Sequence, residues 1–515
     1  MKKNLVLIVC AGLLALTGLA ACASKEAADV EAKHFPLIKI VSTENGGNSD
    51  FVLTPVAKHV KEAQQSWGDF SKANAPDPWY EKCQIWEDGQ DKGEAEVKVR
   101  GNWTTNYSKK PLRIKFAKGN NQNLGGIHDG EAYKNWVLLA AYKDASFLRD
   151  AVGLNMYRKL FTGYASDCRL VEVEVNGVNM GVYILAEQQE ALRMELTEPE
   201  KKSKDTAIGY LIEFDKYYYT EDETFEINYL GPVKDYDGTV LENTQIGYTI
   251  KSDITDKAQK TFISSYMNKL WKICYEAVYN KKYYKFNSSY ELVQFTPQGA
   301  DDNAKCYDCI SRVIDLGSLA DMYIFNELVC DPDLYLTSFF MTIDFADGKD
   351  KLLHFQAPWD FDSTMGNKSF AIESTSRENF DKVNMSTIDQ MFAGLCQTDV
   401  NCWDPKTHGN PWMVIFIRQA WFQNLVKERW SALDTAGTLT YLQSYIDEFS
   451  APEYQSVFNY TRTKWGTSAN DPELCRSSQL ATLKGQAASA SYLKDWLTLR
   501  FASVDKIIAG LTPSN

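Results

Sequence analysis

Histidine is scarce. The 515 residues hold five, His34, His59, His128, His354 and His408, with no two at metal-ligand spacing, which argues against a His-rich zinc enzyme. Long basic runs are missing as well: 68 acidic residues stand against 55 basic ones for a net charge of −13, so the chain is not a sequence-general binder of nucleic acid or of anionic membrane. It has no internal repeat of solenoid length, no low-complexity segment beyond residue 34, and no Walker or GxGxxG loop. What it has is apolar and aromatic material, 44% and 13% of the residues, enough to bury a large core and to exclude a disordered or collagen-like chain. At this length two lobes or domains are expected.

The first residues read as an export signal. Lys2 and Lys3 precede an uncharged apolar run from Leu5 to Ala21, and Leu19-Ala20-Ala21-Cys22 closes it with small residues. The run is short for a spanning helix and its small-residue exit is that of a cleaved signal. Leu-Ala-Ala-Cys resembles the bacterial lipoprotein box, which makes Cys22 the lipidated first residue of a mature, extracytoplasmic protein anchored in the cell envelope. Residues 1–21 are then the signal and 22–34 a polar tether. Export leaves nine cysteines where disulfides persist, an odd number with open connectivity. Cys396 and Cys402 are close enough in sequence to pair; Cys306 and Cys309 read as a structural disulfide or as buried thiols.

Strand signals dominate the front: 36–41, 96–100, 112–116, 136–141, and a hairpin of 171–175 and 181–185 about Asn176-Gly177. Helical spacing covers 146–161, with Asp144 or Ser146 as a cap. Beyond residue 190 helical periodicity prevails at 255–279, 316–329, 411–431, 438–449 and 487–511, interrupted by strands at 209–215, 338–343 and 352–356. A strand-rich lobe (35–190) and a helix-rich lobe (191–515) give an α+β fold with a cleft between them.

Lys110 falls on the apolar side of the strand 112–116, where it needs an anion such as phosphate or else reaches solvent along an edge. The preceding turn, Arg100-Gly-Asn-Trp-Thr-Thr-Asn106, is built of small and polar residues whose amides could cradle phosphate. The order of strand, helix, hairpin and Glu187-bearing exit repeats that of a protein-kinase small lobe. Phosphoryl transfer further needs one carboxylate at the acceptor hydroxyl and one on Mg²⁺. Asp333, after a helix and ahead of a strand, and Asp360, after the next strand, fit those places, although Asp331 or Asp333 could equally cap a turn. Asp360 and Asp362, two residues apart, repel unless a cation or donors sit between them, a spacing suited to metal rather than to glycoside hydrolysis.

With these blocks in view the chain resembles the CotH kinase family, named for the spore-coat protein H kinase. The resemblance rests on Arg100-Gly-Asn-Trp-Thr, Lys109-Lys110-Pro-Leu-Arg-Ile-Lys115, Trp136-Val-Leu-Leu-Ala-Ala-Tyr-Lys-Asp144 with Leu148-Arg149, Val175 through Glu187, Tyr210-Leu-Ile-Glu-Phe-Asp215, Asn326-Glu327, Pro358-Trp-Asp-Phe-Asp362 and Trp496-Leu-Thr-Leu-Arg500, in that order from about residue 35. It implies an atypical kinase fold that uses ATP and Mg²⁺ (or Mn²⁺) to phosphorylate Ser/Thr of a protein. Asp333 becomes the catalytic acid, Asp360 the metal ligand and Asp362 its support. Lys110, Arg100 and Arg149 fall to the phosphates, and Glu187 to the adenine hinge. Ser338 stands five residues after Asp333, where the kinase catalytic loop carries the Asn of the second Mg²⁺, and supplies the corresponding metal ligand. The rival reading is a non-catalytic pseudokinase whose cleft, or whose 28 Tyr and 13 Trp, binds a glycan or a protein partner.

Overall fold

The computed structural model describes residues 31–54, 76–101, 103–127, 131–242, 246–367, 388–398, 407–466 and 483–513. The expected signal, Cys22 with its expected lipid, Asn102, Cys402 and Cys475 lie outside them. Cys396 is a free thiol, and Cys306 and Cys309 are buried thiols within one helix.

The chain is mixed α and β, and its strand-rich front closes on itself. β1 (Leu37–Ser42), β2 (Glu81–Glu87), β3 (Gln90–Val99), β4 (Leu112–Phe116), β5 (Asn135–Leu139), β6 (Cys168–Val175) and β7 (Val178–Glu187) form a seven-stranded barrel in the order β1-β2-β3-β4-β5-β7-β6. Closure comes from a parallel pairing of β1 with β6, Leu37 opposite Glu172. The β6–β7 hairpin turns through Asn176 and Gly177, both at positive φ, the geometry that makes Asn-Gly a tight-hairpin sequence.

The two faces of the barrel wall serve different cores. Trp136 and Leu138 of β5, with Tyr183 and Leu185 of β7, fill the barrel. Val137 and Leu139, with Val182, Ile184 and Ala186, face outward into a second, larger core that runs on through the helices to Leu511. Against that outer face lies α1 (Arg149–Leu160). Its amino end is capped from upstream, because Asp144 accepts the N–H groups of Leu148 and Arg149 at 3.0 and 2.8 Å.

A second sheet follows. β8 (Gly209–Asp215), β9 (Thr224–Phe225), β10 (Gly247–Ile250), β11 (Phe339–Asp344) and β12 (His354–Phe355) are arranged β12-β11-β8-β10-β9. α2 (Lys257–Tyr275) and α4 (Leu316–Val329) pack against it; α3 (Asp302–Ile310) lies on α2, α5 (Ala420–Ala432) on α3 and α4, α6 (Thr435–Ser450) on α1, α7 (Gln455–Trp465) on β7 of the barrel, and α8 (Gly485–Ala509) on α4, α5, α6 and α7. α4 is buried from Leu319 to Val329, as an all-round apolar helix must be. Asp315 caps its start, and Cys330, in the left-handed region, ends it. The helix thereby delivers Asp331 to the start of a short 3₁₀ turn, Pro332–Tyr335, immediately ahead of β11. Among the described residues no helix is long and apolar enough to cross a membrane.

Candidate active site

Two turns make the site. The first is the 3₁₀ turn after α4. Asp331 is its cap, buried, with its carboxylate on the N–H of Asp333 at 2.9 Å. Asp333 itself is half-buried, and among the described residues its carboxylate has no hydrogen bond or ion pair. The second turn, Pro358 to Asp362, leaves β12, and Asp360 sits there at φ +70°. Its carboxylate likewise has no such partner among the described residues. A small cavity is lined by both turns: Asp331, Leu334 and Ser338 from one, Pro358, Trp359 and Phe361 from the other.

The electrostatics follow from this crowding. Burial raises the Asp360 carboxyl to about 7, helped by Asp362 and Asp333; Lys143 and Arg100 oppose the rise without cancelling it. Burial and the neighbouring carboxylates Asp333 and Asp360 likewise push Asp331 well up. Arg100 closes the site from the barrel side, 5.6 Å from the Trp359 ring. Burial lowers its guanidinium to about 10, with Asp360 working against that. The acids at this point outnumber the cations, which is the surplus a divalent ion would answer.

Among the described residues no three His, Cys, Asp or Glu side chains converge as ligands. Mg²⁺ is nevertheless commonly held by one or two carboxylates together with substrate phosphates. Asp360 offers hard oxygen donors without a hydrogen-bond partner among the described residues, and these fit that mode.

Asp362 is placed differently. Its Oδ1 lies 2.8 Å from the Lys143 ammonium, both side chains being buried, and Lys143 also donates to the Ser363 hydroxyl at 2.9 Å. Lys143 is the cation that meets the acid cluster, and sequence reasoning assigned it no part. Asp150 of α1 completes the support: its Oδ1 accepts the Phe361 N–H at 2.7 Å, and burial with Asp362 and Asp360 nearby raises its carboxyl well above the ordinary range. Gly153, one turn along, lets the Phe361 ring lie on the helix; a β-carbon there would stand 2.5 Å from the ring.

Three residues expected at the phosphates or the nucleotide have partners within the fold. Lys110 is buried, and its ammonium donates to the carbonyls of Thr105 and Tyr107 at 3.1 and 2.7 Å, folding the Arg100 to Asn106 turn onto the start of β4. Arg149 is buried against Asp144 at 2.5 Å and the Thr364 carbonyl at 3.1 Å. Glu187 is buried in an ion pair with Arg193 at 2.8 Å and accepts Tyr164 OH at 3.2 Å. Main-chain carbonyls or nearby ions answer each of these charges. Arg149 thus ties the start of α1 to Asp144 and Thr364, and Glu187 ties the end of β7 to Arg193 and Tyr164.

The family model of the CotH kinase protein matches residues 97–504. This chain belongs to the CotH kinase family. The match begins in β3, so it takes in Arg100, both turns and the closing helix α8 as far as residue 504. No curated protein matches the chain.

In this CotH kinase chain Ser338 is at φ +59°, its N–H on Glu213 Oε1 at 3.0 Å. Glu213 lies in β8, also takes the Thr337 hydroxyl at 3.1 Å and pairs with Lys251 at 2.9 Å. It was visible in the sequence only as part of the Tyr210 to Asp215 block. Its burial on a strand flanked on both sides marks it as a support for the start of β11.

Proposed function

We propose that this CotH kinase family member is an envelope-anchored kinase that transfers the γ-phosphoryl group of ATP to Ser or Thr of a protein, with Cys22 carrying the lipid. The observation that carries the reading is that Asp333 and Asp360, on two turns that line one cavity, are near enough for Asp333 to help raise the Asp360 carboxyl, both carboxylates being without a hydrogen bond or ion pair among the described residues. Asp333, half-buried in the capped turn, is suited to accept the acceptor hydroxyl's hydrogen bond, align its oxygen and take its proton as the oxygen bonds to the γ-phosphorus and the bond from that phosphorus to ADP breaks. Arg100 and Lys143 supply positive charge for the phosphates. Asp360 would hold the divalent ion, with Asp362 behind it fixed by Lys143 and with the Ser338 hydroxyl as a further oxygen donor. The ion, when bound, neutralises charge between the phosphates. Asp150, through the Phe361 N–H, holds the turn that carries Asp360.

A non-catalytic role has one observation in its favour, the hydroxyl of Ser338 where the resemblance places an amide. Titration calorimetry of the purified chain with Mg·ATP, together with phosphate release from ATP, decides between the two. Asp333→Asn is expected to keep Mg·ATP binding and to lose turnover by roughly a hundredfold or more, whereas Asp360→Asn is expected to weaken metal-dependent binding itself. Wild-type behaviour in both variants would end the kinase reading. Binding without turnover in the wild type would leave a pseudokinase.

A further inference from the structure

Between α4 and α8 lies another buried charge pair. Glu327 of α4 and Arg500 of α8 are both fully buried, with Arg500 Nη2 3.0 Å from Glu327 Oε2. Every donor around this carboxylate is used: Tyr323 OH at 3.0 Å, and the N–H groups of Phe392, Ala393 and Gly394 at 2.8, 2.9 and 3.3 Å. Arg500 in turn holds the carbonyls of Ile388 and Gln390, both at 2.8 Å, and that of Glu327 itself at 2.8 Å. Two helices therefore grip one stretch of irregular backbone, 388–394, through a single ion pair.

That stretch touches the catalytic turn. The Phe392 carbonyl accepts Tyr335 OH at 3.3 Å, and the two rings lie 5.4 Å apart. Tyr335 is the last residue of the same 3₁₀ turn that carries Asp333. A fully buried ion pair is a poor device for stability alone, since desolvation offsets most of its Coulombic gain. Its geometric effect is definite: it fixes the one carbonyl on which the Tyr335 hydroxyl rests.

We infer that Glu327 is a positioning residue for phosphoryl transfer, setting the place of Asp333 through residues 392–394 and Tyr335. The inference rests on the kinase reading above. It gives Glu327 and Arg500 no contact with nucleotide, so their effect falls on turnover and spares ATP binding.

The test uses the full chain, Mg·ATP, and phosphate release as the readout. Tyr335→Phe deletes one hydroxyl and keeps the ring contact, so it preserves the fold; Glu327→Gln removes the charge and turns a donor toward the N–H groups of 392–394. For Tyr335→Phe the expected result is a kcat lowered about tenfold, the scale of a small misplacement of a catalytic group, with KM for ATP within about twofold and an unchanged thermal midpoint. Glu327→Gln is expected to lower kcat further in the same pattern. Wild-type kcat in Tyr335→Phe, or a fall in kcat matched by an equal weakening of ATP binding, overturns the inference. A wild-type protein that neither binds nor turns over Mg·ATP removes the kinase reading and this inference together.

Discussion

Lys143 and Asp362 stand 2.8 Å apart in the interior, and this pairing leaves Asp360, two residues earlier, as the acid whose charge is only partly offset. Lys143→Met strands Asp362 without its cation, at a cost of about 3 to 5 kcal/mol in urea unfolding. Adding Asp362→Leu is expected to recover most of that stability and to leave Mg·ATP binding weak, because the cation for the phosphates is still missing. A double variant that binds Mg·ATP like the wild type would take Lys143 out of the site. Lys110→Met, by contrast, is expected to lower stability through the Thr105 and Tyr107 carbonyls.

The Asp360 carboxyl, raised to about 7, sets a pH dependence. In the ion-free protein its folded value exceeds its unfolded one, so its contribution to stability is complete below about pH 4 and is lost as pH rises through 7. A bound divalent ion requires the ionised form and acts in the opposite sense. Mg·ATP affinity is therefore expected to rise by up to about tenfold per pH unit below 7 and to level off above it, with proton uptake by the buffer visible in calorimetry. A flat profile, or the same profile in Asp360→Asn, would show that this group does not hold the ion.

Ser338 occupies the left-handed region at φ +59°, which Asn adopts more readily than Ser. Ser338→Asn is therefore expected to be accepted by the backbone, to keep the N–H on Glu213, and to add an amide oxygen five residues after Asp333. Turnover across a Mg²⁺ titration is expected to rise most at low Mg²⁺, where a weak second site is unsaturated. Equal turnover at every concentration would assign Ser338 no part in metal binding.

Gly153→Ala tests the seat of the second turn. In an open helix this change would add up to about 1 kcal/mol of stability. Here the new β-carbon meets the Phe361 ring at 2.5 Å, and overpacking of this kind costs about 1 to 3 kcal/mol. A net loss in urea unfolding, together with weaker Mg·ATP binding as Asp360 is displaced, is the expected outcome.

For the proposed anchor, Cys22→Ala is expected to move the protein from the membrane to the soluble fraction with its thermal unfolding unchanged. Retention on membranes in high salt would count against lipidation at that residue.

Elements with a local signature were legible. α4 begins at its Asp315 cap and ends as the 316–329 periodicity required, and Asn176-Gly177 made the hairpin it announced. β2 was not, because Glu81 to Glu87 is held by ladders to β1 on one side and β3 on the other, partners that a local pattern does not reveal. The expected helix at 411–431 breaks between Val414 and Ala420, where Arg418 turns back to the carbonyls of Asp235 and Tyr236. The same distinction governs the site. Asp333 and Asp360 could be picked out as candidates on their place beside strands, and Ser338 only through the resemblance that puts a metal ligand five residues after Asp333. Lys143 could not, since Asp362 and Ser363, the groups that define it, lie more than two hundred residues along the chain; nor could Arg149, whose acceptors include carbonyls equally remote.

Barrel closure has a consequence for the order of assembly. β1 is the first strand of the barrel to be made, yet Leu37 finds its parallel partner at Glu172. A pairing across such a separation carries a loop-closure cost that a hairpin does not. The neighbouring hairpins, β2 with β3 and β6 with β7, need only local chain. They can form as they emerge, while the outer edge of β1 waits for synthesis to pass Val175. The strand that starts the barrel is therefore the seam at which it closes, and a chain stalled anywhere before that residue carries an open sheet edge.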